Sequence, residues 1–283
     1  MAKKQTKPRV SRKKAVTSKR KPIGTYLLIA LFSIGILGGL GYHYRVAIAY
    51  YLSFRTDKKI APKQAAELAH ESAVMQRNAG KVLGIDVSHY QSYIDWDKVG
   101  YVNETHPIHF VIVRATMGTD KVDSRFQENW EGVRKANLVR GAYHYYRPNE
   151  SSALQAKNFL EAVKLAPGDL PAVLDIEEMP KVQSMQKLRV GLQNWLDTVE
   201  KATGIKPILY TGERYYIDFL AKDFPDYHLW VANYNIWIEE PKANWMIWQF
   251  SEKGTASGIK GPVDLNVFQG KRADLDKILK PAL

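Results

Sequence analysis

The stretch Pro171–Glu177, PAVLDIE, places an apolar run directly before two carboxylates separated by one residue. A short apolar run without polar alternation reads as a strand buried on both faces, the habit of parallel sheets. Residues i and i+2 of a strand point to the same side. Asp175 and Glu177 are therefore predicted to project together from the C-terminal end of a buried strand. Like charges so placed disfavour each other's ionisation, so one carboxyl is expected to keep a proton near neutral pH while the other stays ionised. That division suits glycoside cleavage, in which one acid protonates the leaving oxygen and a carboxylate supports the charge developing at the sugar ring.

Runs of the same character lie on both sides: GIDVSHYQ (84–91), HFVIVRAT (109–116), VRGAYHYYRP (139–148), PILYTG (207–212), HLWVANYN (228–235), WMIWQF (245–250) and VDLNVF (263–268). Helical patterns over Arg125–Ala136, Ser152–Leu165 and Gln186–Thr203 separate several of them. The last sets Leu188, Leu192, Trp195, Leu196 and Val199 on one face and ends at Gly204, a helix-stop signal. Strand and helix alternate to about position 220, after which the connections shorten. The reading is an α/β fold, a TIM-like (β/α) barrel over residues 81–283 that is irregular in its last third.

Chemistry in such barrels sits at the C-terminal strand ends. Asp86, Arg114, Tyr145, Asp175 with Glu177, Tyr210, Tyr234, Gln249 and Asp264 fall there. Tyr143, Trp230 and Trp248 add flat faces suited to sugar rings, and Asn233 a hydrogen-bonding amide. His89 and His144 are expected near the mouth as hydrogen-bonding residues. With no cysteine and no HExxH spacing, no metal site is expected, and without a Gly-rich phosphate loop or G-x-S-x-G neither a nucleotide site nor a serine hydrolase is supported.

The N-terminal quarter reads differently. Residues 1–21 hold ten Lys/Arg and no acid, so the remainder carries 31 basic against 29 acidic residues and the net charge of +12 belongs to a tail. A basic nucleic-acid binder is a poor reading of that pattern. No charged residue lies between Lys21 and Arg45, and Ile23–Tyr42 supplies twenty largely apolar residues. As a helix they would span about 30 Å, a bilayer's hydrocarbon core. The expected organisation is a cytoplasmic tail (1–21), a single transmembrane helix (22–44), a stem (45–80) and the barrel outside the cytoplasmic membrane, on the wall side, by the positive-inside rule. Ala61–Asn78, ending at Gly80, is expected as a spacer helix with a thin apolar stripe.

The ordered set GIDVSHYQ…IDW, VIVRAT-G, GAYHYYRP, AVLDIE, ILYTG, LWVANY, WQF and VDLNVF resembles the family 25 glycoside hydrolases, the Chalaropsis-type lysozymes, over residues 82–270. The resemblance implies a flattened, irregular β/α barrel that cleaves, with retention, the β-1,4 bond between N-acetylmuramic acid and N-acetylglucosamine in peptidoglycan. It implies Glu177 as general acid and Asp175 as the group stabilising an acetamide-derived or covalent intermediate. It further implies that Asp86 and Asp264 position the sugar and hold Glu177 protonated. Tyr143, Tyr145, Tyr210, Tyr234, Arg114, Trp248 and Gln249 are expected to bind substrate, with no cofactor. RATMG (114–118) departs from the family's KATEG-like stretch: Arg114 keeps the charge with different geometry, and Met117 removes an acid. A catalytically weak wall-binding module and a chitin-cleaving enzyme are the competing readings, the latter without the DxxDxDxE signature of chitinases. The sequence does not specify an oligomeric state.

Overall fold

The computed structural model describes residues 33–40 and 62–282. Residues 33–40 form a helix. The remainder of the expected membrane segment 23–42, the basic tail and most of the stem lie outside the described residues. Among the described residues no helix is long and apolar enough to cross a membrane.

Eight strands close a barrel: β1 (Val82–Val87), β3 (His106–Met117), β5 (Val139–Tyr145), β6 (Val173–Asp175), β7 (Ile208–Gly212), β8 (Leu229–Ala232), β9 (Ile247–Gly254) and β10 (Val263–Phe268). Each coincides with one expected run. Pairing is parallel from β1 through β3, β5, β6, β7 and β8 to β9. It is antiparallel from β9 to β10 and from β10 back to β1. The irregularity expected in the last third is this one reversed strand. Two short strands, β2 (Tyr101–Val102) and β4 (Lys121–Val122), pair antiparallel with β3.

Helices α2 (Phe126–Lys135), α3 (Ser152–Ala162) and α4 (Met185–Thr203) cover the first strands from outside. Ser151 and Ser184 cap α3 and α4 by accepting from Leu154 N and Lys187 N, satisfying donors a helix start leaves open. Gly204 ends α4 at φ 75°, a left-handed conformation that costs glycine little.

The core has two layers. Phe110, Ile112, Val173, Ile208, Trp230, Ile247 and Phe268 fill the barrel interior. Val111, Val113, Leu174, Leu209, Val231, Trp248 and Val267 face outward toward the helices. A residue and its neighbour thus belong to opposite layers, as pleating requires. Gly84 is needed by the inner layer: a Cβ there would lie 2.4 Å from the Phe110 ring.

The helix expected as a spacer is present as α1 (Pro62–Arg77), but it is not a spacer. It packs on the outside of β9, with Ala65, Ala69, His70, Glu71, Val74 and Met75 buried. Glu71 Oε1 accepts from Ser251 Oγ at 2.5 Å, and Lys253 Nζ donates to Glu67 at 2.7 Å. No helix follows β8 or β9, so α1 covers a wall that the later connections leave open.

Candidate active site

The alternation that builds the core also builds the site. Asp86, Arg114, Tyr143, Asp175, Tyr210, Trp230, Gln249, Asp264 and Asn266 occupy inward positions on eight strands. Asp86, Tyr143, Asp175, Glu177, Tyr210, Trp230, Tyr234, Gln249, Glu252 and Asp264 line one cavity of about 220 Å³. Glu177 lies two residues beyond the end of β6, yet shares the cavity with Asp175 as the i, i+2 spacing predicts.

Two carboxyl pairs face each other there. Asp86 and Asp264 stand directly opposite across the antiparallel β1–β10 ladder and are hydrogen-bonded to each other. Burial pushes Asp86 up to about 6, against the pull of Asn266 and Gln249, which both donate to its Oδ2 at 2.7 Å. Asp264 is pushed up to about 9 by burial and by the charge of Asp86. Such a pair holds one proton between its members at neutral pH.

Asp175 is buried and Glu177 reaches solvent at the rim. Their carboxyls are in hydrogen-bonding contact. Asp175 Oδ1 finds no hydrogen-bond donor among the described residues. Burial and the charges of Glu177 and Asp86 raise Asp175 far above the carboxylate range. Desolvation raises Glu177 too, moderated by the neighbouring Asp175 carboxyl and Tyr210 hydroxyl. Burial disfavours ionisation of both carboxyls, and Glu177 is the one exposed at the rim.

The tyrosines and amides link the pairs. Tyr210 and Tyr234 donate to Gln249 Oε1, the former at 2.7 Å, and Gln249 passes the connection to Asp86. Trp230 Nε1 donates to Asn266 Oδ1 at 2.8 Å, which orients the Asn266 amide toward Asp86. Tyr145 lies outside this cavity, in an adjoining one, with its hydroxyl 3.1 Å from Glu178 Oε1.

Some expected residues lie elsewhere. Trp248 is not a substrate contact: it is fully buried on the outer face of β9 against Trp245, Phe250 and His70, and its indole donates to Asn233 O. Its neighbour Gln249 faces in, so Trp248 must face out. His144 sits between Tyr143 and Tyr145 and is likewise turned outward, stacked on Trp195 and bonded to Thr116 and Gln155. Burial lowers it to about 4, so it is a neutral core residue and not part of the mouth. Asn233 donates to Glu213 and does not line the cavity. Arg114 reaches the adjoining cavity, but its guanidinium is tied to Asp123 Oδ2 at 3.0 Å. Asn266, Asp123, Glu178 and Glu252 went unremarked in the sequence; the inward parity of VDLNVF, with Asp264 and Asn266 two apart, is the signal that could have found Asn266.

The model of the family described as glycosyl hydrolases family 25 matches residues 85–259. A protein of Escherichia coli K12, uncharacterized YegX, is 43% identical over 196 residues, 68% of this chain and 71% of its own length. Lysozyme M1 of Streptomyces globisporus is 30% identical over 223 residues, 72% of this chain and 74% of its own. Among solved structures, the bacterial lysozyme of Streptomyces coelicolor superposes with a TM-score of 0.65 at 29% identity, covering 71% of this chain and 98% of that one. A family GH25 lysozyme of Aspergillus fumigatus gives 0.61 at 27%, covering 71% and 100%. The match spans the strands that carry Asp86, Asp175 and Glu177 and ends after β9, short of Asp264, and with it the chain belongs to glycosyl hydrolase family 25 and is a glycoside hydrolase.

Proposed function

We propose that the enzyme is an N-acetylmuramidase that hydrolyses the β-1,4 bond between N-acetylmuramic acid and N-acetylglucosamine in peptidoglycan. The observation that carries this reading is the arrangement of Asp86, Asp175, Glu177 and Asp264 in one cavity, with Glu177 alone of the Asp175–Glu177 pair open to solvent. Relatives named as lysozymes and N,O-diacetylmuramidases supply the substrate class.

Glu177 delivers the pair's proton to the leaving glycosidic oxygen, because it is the exposed member of the pair at the rim of the cleft. Loss of that proton leaves negative charge on the pair. The buried Asp175 carboxylate then stabilises the cationic centre, either by orienting the substrate's acetamide or by supporting a covalent intermediate. Asp86 and Asp264 keep their own proton and so add one negative charge, not two, beside the reacting ring. Tyr210 and Gln249 hold the two pairs in register.

The apolar stretch 23–42, flanked by a ten-cation tail, supports a single-pass anchor with the barrel on the wall side of the cytoplasmic membrane. Mass spectrometry of purified peptidoglycan digested by the detergent-solubilised full chain tests the catalytic reading. Reducing N-acetylmuramic acid ends are expected from the wild type and none from Glu177→Gln. Asp175→Asn is expected to slow release by roughly 10²–10⁴-fold. Products ending in reducing N-acetylglucosamine, or undiminished turnover by Glu177→Gln, would overturn the proposal.

A further inference from the structure

Asp86, Tyr143, Glu177 and Asp264 are shared by two adjoining chambers. The inner one is lined by the buried Asp175, Tyr210, Trp230 and Gln249. The outer one, about 490 Å³, runs from Glu177 past Tyr145 and Arg147 to the turn after β1, Ser88–Gln91. Glu177 stands where they meet, so a glycan strand cleaved there extends from one into the other.

Tyr90 lines the outer chamber and is 76% exposed. A large ring left in water is ordinarily mobile, but this one is fixed from several directions. Its backbone belongs to a single 3₁₀ turn, His89–Gln91, closed by a capping box: Ser88 Oγ accepts from Tyr90 N at 3.2 Å, and Gln91 Oε1 from Ser88 N at 2.9 Å. The His89 ring lies 4.3 Å from the Tyr90 ring at a 36° tilt. The Arg114 guanidinium lies 5.0 Å from the Tyr90 ring centre, within cation–π range. One carboxylate anchors both supports: Asp123 Oδ2 accepts from Arg114 Nε at 3.0 Å and from His89 N at 3.1 Å, and lies 2.7 Å from His89 Nδ1. Burial opposes ionisation of Asp123, but hydrogen bonds from His89, Arg125 and Arg114 bring it below the ordinary carboxylate range, so it stays charged. An aromatic ring preorganised in this way, open to the chamber that Glu177 also lines, fits the apolar face of a pyranose.

We propose that Tyr90 is a stacking platform for the sugar on the outer-chamber side of the scissile bond, and that Asp123 with Arg114 is its positioning pair. Arg114, read from sequence as a substrate contact, then acts through Tyr90. The proposal rests on the muramidase reading above and extends it to substrate binding beyond the cleaved residue.

The test uses the solubilised full chain and peptide-free glycan strands of alternating N-acetylglucosamine and N-acetylmuramic acid, with initial rates read as reducing ends. Tyr90→Ala is expected to raise KM about tenfold while kcat changes less than about threefold, the pattern of lost binding rather than lost chemistry. Tyr90→Phe, which keeps the ring, is expected to restore KM. Asp123→Asn is expected to raise KM in the wild-type background and to add little in the Tyr90→Ala background, because the two act as one unit. An unchanged KM for Tyr90→Ala, a Tyr90→Phe as weak as Tyr90→Ala, or an Asp123→Asn effect equal in both backgrounds would overturn the platform. Failure of the wild type to cleave the strands would instead remove the muramidase reading, and the platform with it.

Discussion

Replacing Asp264 by Asn removes a titrating group and keeps a hydrogen-bond donor for Asp86, which faces it across the β1–β10 ladder. In the wild type Asp264 releases its proton at about 9 in the folded chain, against 3.8 for an ordinary aspartate. Between those values the folded state binds a proton that the unfolded state has lost, so stability is greatest at low pH and falls as pH rises through the window. The slope for one proton is about 1.36 kcal/mol per pH unit. From pH 5 to pH 7 the proton held by Asp264 therefore costs on the order of 3 kcal/mol of stability. At roughly 2–4 °C per kcal/mol for a domain of this size, that is about 5–10 °C in Tm. Asp175 and Glu177 titrate in both proteins, so the difference between the two melting curves isolates the Asp86–Asp264 pair. Calorimetry at pH 5, 6 and 7 is expected to show the wild type losing Tm more steeply than Asp264→Asn, by about 5 °C or more over the two units. Parallel Tm–pH curves would refute the shared proton, and with it the account of how four carboxyls coexist in one cavity.

Three further perturbations follow from the packing. Gly84→Ala drives a methyl group into the Phe110 ring inside the barrel and is expected to cost about 1–3 kcal/mol, read as a lower midpoint in urea. Trp248→Phe, remote from the cavity, is expected to lower Tm while KM for glycan strands stays within about twofold; a large rise in KM would return Trp248 to the site. Deleting residues 1–80 strips α1 from β9 and leaves the face that Val74 and Met75 cover bare. At about 1.5–3 kcal/mol for each large side chain, Tm is expected to fall by about 6 °C or more with increased binding of a hydrophobic dye; an unchanged Tm would make α1 the spacer that its sequence suggested.

The barrel was legible because each of its strands is a compact apolar run, and burial on both faces leaves that mark whatever the strand's partners are. Strand direction was not legible: the antiparallel set of β10 follows from the short 255–262 connection and from pairing with β1 across the whole chain, which no local pattern records. The acids were legible for the same reason as the strands, since Asp86, Asp175 and Asp264 each end or interrupt an apolar run where an unpaired charge is costly. Trp248 and His144 were misplaced because residue type outweighed parity. Both alternate with residues that face the cavity, so pleating alone sends them outward. Helix α1 was misread because its buried face is partly polar. Glu71 and His70 look like solvent residues until Ser251 and Trp248 arrive from positions about 180 residues later.

The site's chemistry turns on a distinction that residue identity alone does not make. Four acidic residues make up the two carboxyl pairs, but the pairs differ in what surrounds them. Asp86 accepts from two amides held by Tyr210, Tyr234 and Trp230, so the negative charge of its pair is fixed on the barrel floor. Asp175 has no such donor on Oδ1, and its partner Glu177 stands at the rim. The first pair is solvated by protein donors; the second has fewer of them, and Glu177 is its member placed where a proton can pass outward. A proton that leaves the second pair creates a buried, under-solvated charge beside the departing bond. A cationic sugar ring is the group that best compensates such a charge, so donation from Glu177 and stabilisation by Asp175 become one coupled event.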